Sequence, residues 1–267
     1  MTERRVNHEA RAAKAWPVLA ECAVRRSTTS YAELGELIGG VHQRAIGLTL
    51  GPIQEFCLSE KLPPLTILVV QKAAGRPGGG FIAWDVDDIE TGLQRVYEFP
   101  WKTLPNPFAY ALEGDTTIDS LASTLANSPE LAPDVYALVR VRGIAQQVFR
   151  NTLLAAYDYR CAFCGTTFER ALEAAHIVPW SESTKEERLD PRNGLLLCRT
   201  HHALFDDGCI TIDENLRVIH VDDEYPPETY TTADTWLTQR LHGTTIIVPE
   251  NKRLRPGIQY LRRRNKW

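Results

Sequence analysis

The stretch that decides the reading opens with Cys161-Ala162-Phe163-Cys164 and continues through Leu172-Glu173-Ala174-Ala175-His176-Ile177-Val178-Pro179-Trp180. It closes with Asn193-Gly194-Leu195-Leu196-Leu197-Cys198-Arg199-Thr200-His201-His202-Ala203-Leu204-Phe205-Asp206. Two residues separate Cys161 from Cys164, and two separate Cys198 from His201. Each pair is a knuckle whose side chains can reach one ion. Three thiolates and one imidazole close a tetrahedral zinc site with no open position, the mark of a structural zinc. The intervening loop is long, so the metal would staple a segment too short to build its own core. His176, Asn193 and His202 stay outside that site. His176 lies on an apolar, strand-like run, and His202 adjoins a zinc ligand, so it cannot readily bind the same ion.

In this order the motifs resemble the HNH nuclease family, also called the ββα-metal nucleases. The resemblance implies metal-dependent hydrolysis of DNA phosphodiester bonds, by nicking or double-strand cleavage. On that basis His176 is the general base that takes a proton from the attacking water, a task suited to a neutral imidazole. Asn193 orients His176 or the loop that carries it. His202 binds a divalent cation, Mg2+ or Mn2+, which steadies charge on the phosphate and the leaving oxygen. Many members carry Asp or His just before the base as a second metal ligand. Here that position is Ala175, which cannot ligate. Asp206, one helical turn beyond His202, is a candidate replacement. The rival reading is a zinc ribbon that only binds or scaffolds. Such knuckles are widespread, and the addition of His176, Asn193 and His202 is what favours the enzyme.

The wider composition frames this reading. A chain of 267 residues permits two modest domains. No apolar run approaches membrane-spanning length, and the N-terminus has charges and no signal-peptide core. The expected compartment is the cytoplasm. Three of the six cysteines sit at metal-knuckle spacing, and Cys22, Cys57 and Cys209 read as small apolar core residues. The net charge of −4 counts mildly against a nucleic-acid enzyme, but the local field matters more. Arg140, Arg142 and Arg150 precede the zinc segment as candidate phosphate contacts. Arg262, Arg263, Arg264 and Lys266 make a basic tail, either a grip on DNA or a disordered end. Acidic residues gather elsewhere, as at Asp222-Asp223-Glu224.

Residues 7–25 read as a packing helix that Pro17 would distort. After it, Thr28-Thr29-Ser30-Tyr31-Ala32-Glu33-Leu34 reads as a capped helix start, and Gly39-Gly40 ends that helix. A second helix follows around His42-Gln43-Arg44-Ala45-Ile46-Gly47, with Ala45, Ile46 and Leu50 on its buried side. Leu65 to Val70 reads as a continuous apolar strand, and Gly75 to Gly80 as a flexible turn or wing. Helix, turn, helix, strand and wing describe a winged helix-turn-helix. These motifs resemble the DNA-binding domain of alkylguanine-DNA alkyltransferases and alkyltransferase-like proteins. The resemblance implies that Arg44 enters the base stack when a nucleotide is extruded and that Tyr31 meets the DNA backbone. The family's acceptor cysteine has no counterpart in Leu65-Thr66-Ile67-Leu68, so transferase chemistry is not expected.

Residues 111–133 read as a linker and 134–157 as a helix interrupted at Gly143. A hairpin is expected over 209–220 and a short helix over 234–241. The expected fold is therefore α+β. An N-terminal winged-helix-like, alkyltransferase-like domain (1–125) supplies DNA binding, and a zinc-stapled ββα-metal HNH domain (126–267) cuts. Restriction or antiphage defence follows by analogy alone. DNA is the expected partner, with other defence proteins that recruit the nuclease as an alternative. Double-strand cutting by a single-strand centre would call for a homodimer or two encounters.

Overall fold

The computed structural model describes residues 6–112, 116–139, 141–221 and 229–265. Arg140, Lys266 and the run Asp222-Asp223-Glu224 lie outside the described residues. The chain divides into two compact units, Met1–Thr117 with Val139–Ile144, and Ile118–Leu138 with Ala145–Trp267. Helices predominate, mixed with three two-stranded sheets among the described residues. No helix of the described residues is long and apolar enough to cross a membrane.

The first unit is built on α1 (His8–Val24), which runs unbroken through Pro17. Proline lacks the N–H that would bond the carbonyl four residues earlier. That carbonyl, on Ala13, instead accepts a hydrogen bond from Asn106 Nδ2 at 2.7 Å. The side chain of Asn106 thus replaces what Pro17 removes. Trp16 meets Phe56, Trp101 and Phe108 edge-on at 5.7, 5.8 and 6.1 Å between ring centres. Strand β1 (Thr29–Ser30) leads into α2 (Tyr31–Leu37), where Ser30 and Glu33 close a reciprocal capping box. Helix α3 (Ile46–Ser59) follows and buries Ile46, Leu50, Ile53 and Phe56.

The expected strand over 65–70 is a correction. Leu65–Leu68 is a 3-10 turn, and only Val69–Val70 (β2) is extended, paired in parallel with β1. Leu65 through Val69 are all buried, Thr66 included, and a run buried on every side carries no periodicity to tell turn from strand. Helix α4 (Ile89–Glu98) completes the regular elements of this unit.

The expected linker is also corrected. Within 111–133 lies α5 (Ile118–Asn127), with Leu121, Ala122 and Leu125 buried. The helix expected over 134–157 forms as two, α6 (Ala132–Val139) and α7 (Arg142–Ala156). Strands β3 (Leu172–His176) and β4 (Gly194–Cys198) pair antiparallel, with Glu173 opposite Leu197 and His176 opposite Gly194. Gly194 is required by packing: a Cβ there would lie 2.6 Å from both Leu153 and Phe149 side chains of α7. Helix α8 (Arg199–Asp206) follows β4 directly. The expected hairpin forms as β5 (Ile210–Ile212) and β6 (Val218–His220), and the expected short helix as α9 (Thr232–Leu237) with a 3-10 turn after it.

The basic tail is ordered through Asn265, and its three described arginines have partners within the protein. It forms α10 (Ile258–Arg264), docked by buried Tyr260 and Leu261. Arg262 pairs with Glu214, Arg263 with Glu187, and Arg264 with the Ile177 and Phe205 carbonyls. Of the other cysteines, Cys57 is buried, which pushes its thiol up to about 12, while Cys22 and Cys209 are half-buried.

Candidate metal and nuclease site

The two knuckles meet where β4 runs into α8. The ligand atoms of Cys161, Cys164, Cys198 and His201 all lie within 4.8 Å of one another. His201 Nδ1 is 3.2 Å from Cys198 Sγ and 3.7 Å from Cys161 Sγ, and the Cys164 and Cys198 sulfurs are 4.0 Å apart. A tetrahedral zinc with bonds of about 2.0–2.3 Å spaces its ligands by roughly 3.5–3.8 Å, so the set fits that ion. The first knuckle closes on Gly165 at φ +74°, with its N–H donating to the Cys161 carbonyl. His201 Nε2 donates to the Leu237 carbonyl at 3.2 Å, which turns Nδ1 toward the sulfurs.

The electrostatics agree with a cation site. Hydrogen bonds from Cys161 pull the Cys164 and Cys198 thiols below the usual range, toward thiolate, and the Cys161 thiol is pushed up in exchange. Burial pulls His201 down, but the hydrogen-bonded sulfurs outweigh it and lift the imidazole to about 9. A divalent ion would neutralise this concentrated negative charge and displace the shared protons.

His202 follows His201 but meets oxygens instead of sulfurs. Its Nδ1 lies 2.8 Å from Glu173 Oε2 and its Nε2 3.3 Å from Asp206 Oδ2. The other oxygen of Glu173 accepts from Arg199 Nε at 3.0 Å. The structure thus brings His202 and Asp206 together and adds Glu173. Sequence reasoning missed Glu173, although strand alternation was a usable signal: it projects on the same face as Ala175, two residues on.

His176 lies on the alternate face of β3. It stacks on Phe149 at 4.1 Å between ring centres and meets Trp180 edge-on at 5.7 Å. Its Nε2 donates to the Arg188 carbonyl at 3.0 Å, so Nδ1 carries the lone pair of the neutral ring. Asn193 is fully buried and grips the segment that follows His176. Its Oδ1 accepts from the Val178 N–H at 2.9 Å, and its Nδ2 donates to Ser183 Oγ and the Glu187 carbonyl at 3.1 and 3.2 Å. One guanidinium, that of Arg264, spans the Ile177 carbonyl next to His176 and the Phe205 carbonyl next to Asp206. The two segments therefore approach within the reach of a single side-chain head.

Of the arginines preceding the zinc segment, Arg150 donates to the Leu172 and Glu169 carbonyls and so ties α7 to the start of β3. Arg142 is exposed. In the first unit, Tyr31 and Arg44 both line a cleft of ≈ 640 Å³, together with Thr66, Gly78 and Phe81. Tyr31 Oη accepts from the Gly78 N–H at 2.9 Å, which fixes the glycine turn against α2. Thr66 Oγ1 is buried and has no hydrogen-bond partner among the described residues.

No curated protein matches the chain. The family comparison speaks for the second unit, and it points to nuclease activity with DNA as the substrate: residues 161–213, which hold the Cys3His set, strands β3 and β4 and helix α8, match the HNH endonuclease family.

Proposed function

We propose that the chain is a metal-dependent DNA endonuclease whose second unit cuts and whose first unit reads DNA. One observation carries the reading. The family match coincides with a Cys3His set that uses His201, and it leaves the adjacent His202 among oxygen ligands. Sulfur and imidazole suit zinc, whereas carboxylates suit a hard ion such as Mg2+ or Mn2+.

In this reading Cys161, Cys164, Cys198 and His201 hold a structural zinc. His202 and Asp206 hold the second ion. A divalent cation there supplies charge stabilisation for the phosphate and the leaving 3′ oxygen. His176 takes the proton of the attacking water at Nδ1, because its Nε2–H is committed to the Arg188 carbonyl. Phe149 fixes the ring plane. Asn193 acts through the loop it clamps, and so positions the base from behind.

The proposed division into residues 1–125 and 126–267 is supported in outline by the two compact units, although Val139–Ile144 groups with the first. The cleft of that unit supports a DNA-reading role. Its volume lies within the roughly 300–1,000 Å³ of small-ligand sites, and Gln43, Arg44 and Gln54 on its lining offer hydrogen bonds to a polar occupant. An extruded base, entered beside Arg44 and Tyr31, matches that chemistry. Restriction or antiphage defence remains an analogy of architecture.

Plasmid nicking with Mg2+ or Mn2+ tests the enzyme. Substituting His176→Ala should lower the rate by about 10²–10⁴-fold while zinc content and fold stay intact. Wild type and variant equally inert across metals and substrates would leave a zinc module that only binds. For the first unit, Arg44→Ala should weaken DNA binding. Unchanged affinity at every salt concentration would point instead to a protein partner.

A further inference from the structure

We infer that Glu173 is the positioning residue of the divalent-ion site: its carboxylate holds the Nδ1–H of His202, so that Nε2 faces a hard cation beside Asp206. The inference rests on the nuclease reading above and deepens it. A neutral imidazole has one N–H and one lone pair. With Nδ1–H given to Glu173 at 2.8 Å, the lone pair of a neutral ring is on Nε2. Asp206 Oδ2, another acceptor, lies 3.3 Å from it. A divalent cation bound by both atoms would replace the ring proton that can otherwise bridge such a pair. Adjacent ligands of an octahedral Mg2+, with bonds of about 2.1 Å, are roughly 3.0 Å apart. The spacing of Nε2 and Oδ2 is close to that.

The strand explains why Glu173 holds this position. Glu173 and Ala175 share one face of β3, and Ala175 is fully buried and carries no donor atom. A carboxylate two residues earlier reaches the same helix. Arg199 holds Oε1 of Glu173, which leaves Oε2 fixed for the imidazole. A carboxylate behind a ligating histidine sets its tautomer and raises its basicity, and loss of such a partner typically costs about 10–100-fold in metal affinity. The Asp206 side chain is 60% exposed, so the ion side of the pair is open to substrate.

The test is Mn2+ binding to the full-length, zinc-loaded protein, read by the electron paramagnetic resonance of free Mn2+, with nicking measured in parallel. Glu173→Gln should weaken Mn2+ binding by about 10–100-fold at unchanged zinc content, and raise the Mn2+ needed for half-maximal nicking by a similar factor. Glu173→Asp should recover part of the loss, and His202→Ala should abolish the site. If Glu173→Gln binds Mn2+ like wild type while His202→Ala does not, Glu173 has no positioning role and the nuclease reading stands. If neither substitution changes Mn2+ binding, the ion is held elsewhere and the inference falls. Wild type that binds Mn2+ with the expected dependence on Glu173 but cuts no DNA supports the positioning role and sinks the nuclease reading.

Discussion

The two units of the chain are held together by different means. In the first, α1 and α3 are 17 and 14 residues long, and Trp16, Phe56, Trp101 and Phe108 interlock between them. No metal cluster lies among its described residues. In the second, the elements of the site are short: five residues each in β3 and β4, eight in α8. A two-stranded hairpin and a two-turn helix are marginal on their own. Here Asn193 and arginines that reach main-chain carbonyls fix them, and an ion in the Cys3His set would add a further tie. The difference teaches where each unit can place its chemistry. A unit held by buried rings must keep its core closed. A unit held by staples can leave His176, His202 and Asp206 at its surface and still hold them still.

Metal removal should break this contrast most sharply. Structural zinc contributes on the order of 10–16 kcal/mol of apparent folding free energy in small zinc modules. Chelation, or Cys161→Ala, should therefore strip hydrogen-exchange protection from β3, β4 and α8 and leave α1 and α3 protected. Equal loss in both units would show that they fold as one. The converse substitution is smaller in effect. Trp16→Ala should destabilise the first unit by about 3–5 kcal/mol, seen as a lowered first melting transition, with one zinc per chain retained. Loss of zinc in that variant would contradict separate support for the two units.

The legibility of the sequence follows the same division. The knuckles were readable because a metal site is written in local spacing, and the structure gathers those four ligands as the spacing required. Helix α1 was readable from its period, but the survival of Pro17 within it was not, because the compensating Asn106 lies far along the chain. The run Leu65–Leu68 misled because every side chain is buried, so no alternation marks the turn. Helix α5 was overlooked because Ser and Thr dilute its apolar face, although Leu121 and Leu125 stand one turn apart. Strand alternation puts Glu173 on the face of Ala175, but its contact with His202 of α8 depends on how the helix packs on the strand. The tail reads from sequence as a DNA grip or a disordered end, since charge alone cannot show which carbonyls an arginine will meet.

Arg264 gives the finest test of how the second unit is stapled. Its guanidinium donates to the Ile177 and Phe205 carbonyls, and its centre lies 3.5 Å over the Phe205 ring. Burial pulls its pKa below the usual arginine range, partly offset by nearby Asp206, so the packing bears the cost of a desolvated charge. Hydrogen bonds from a charged group contribute about 1.5–3 kcal/mol, and Arg264→Ala should lower the stability of the zinc-loaded second unit by roughly that amount. Arg264→Lys should recover little, because an ammonium cannot span two carbonyls as the planar fork does. The carbonyls belong to the residues after His176 and before Asp206, so nicking should fall further than DNA binding does. If lysine restores both melting temperature and nicking, positive charge alone suffices, and the two halves of the site are held by the zinc without the arginine.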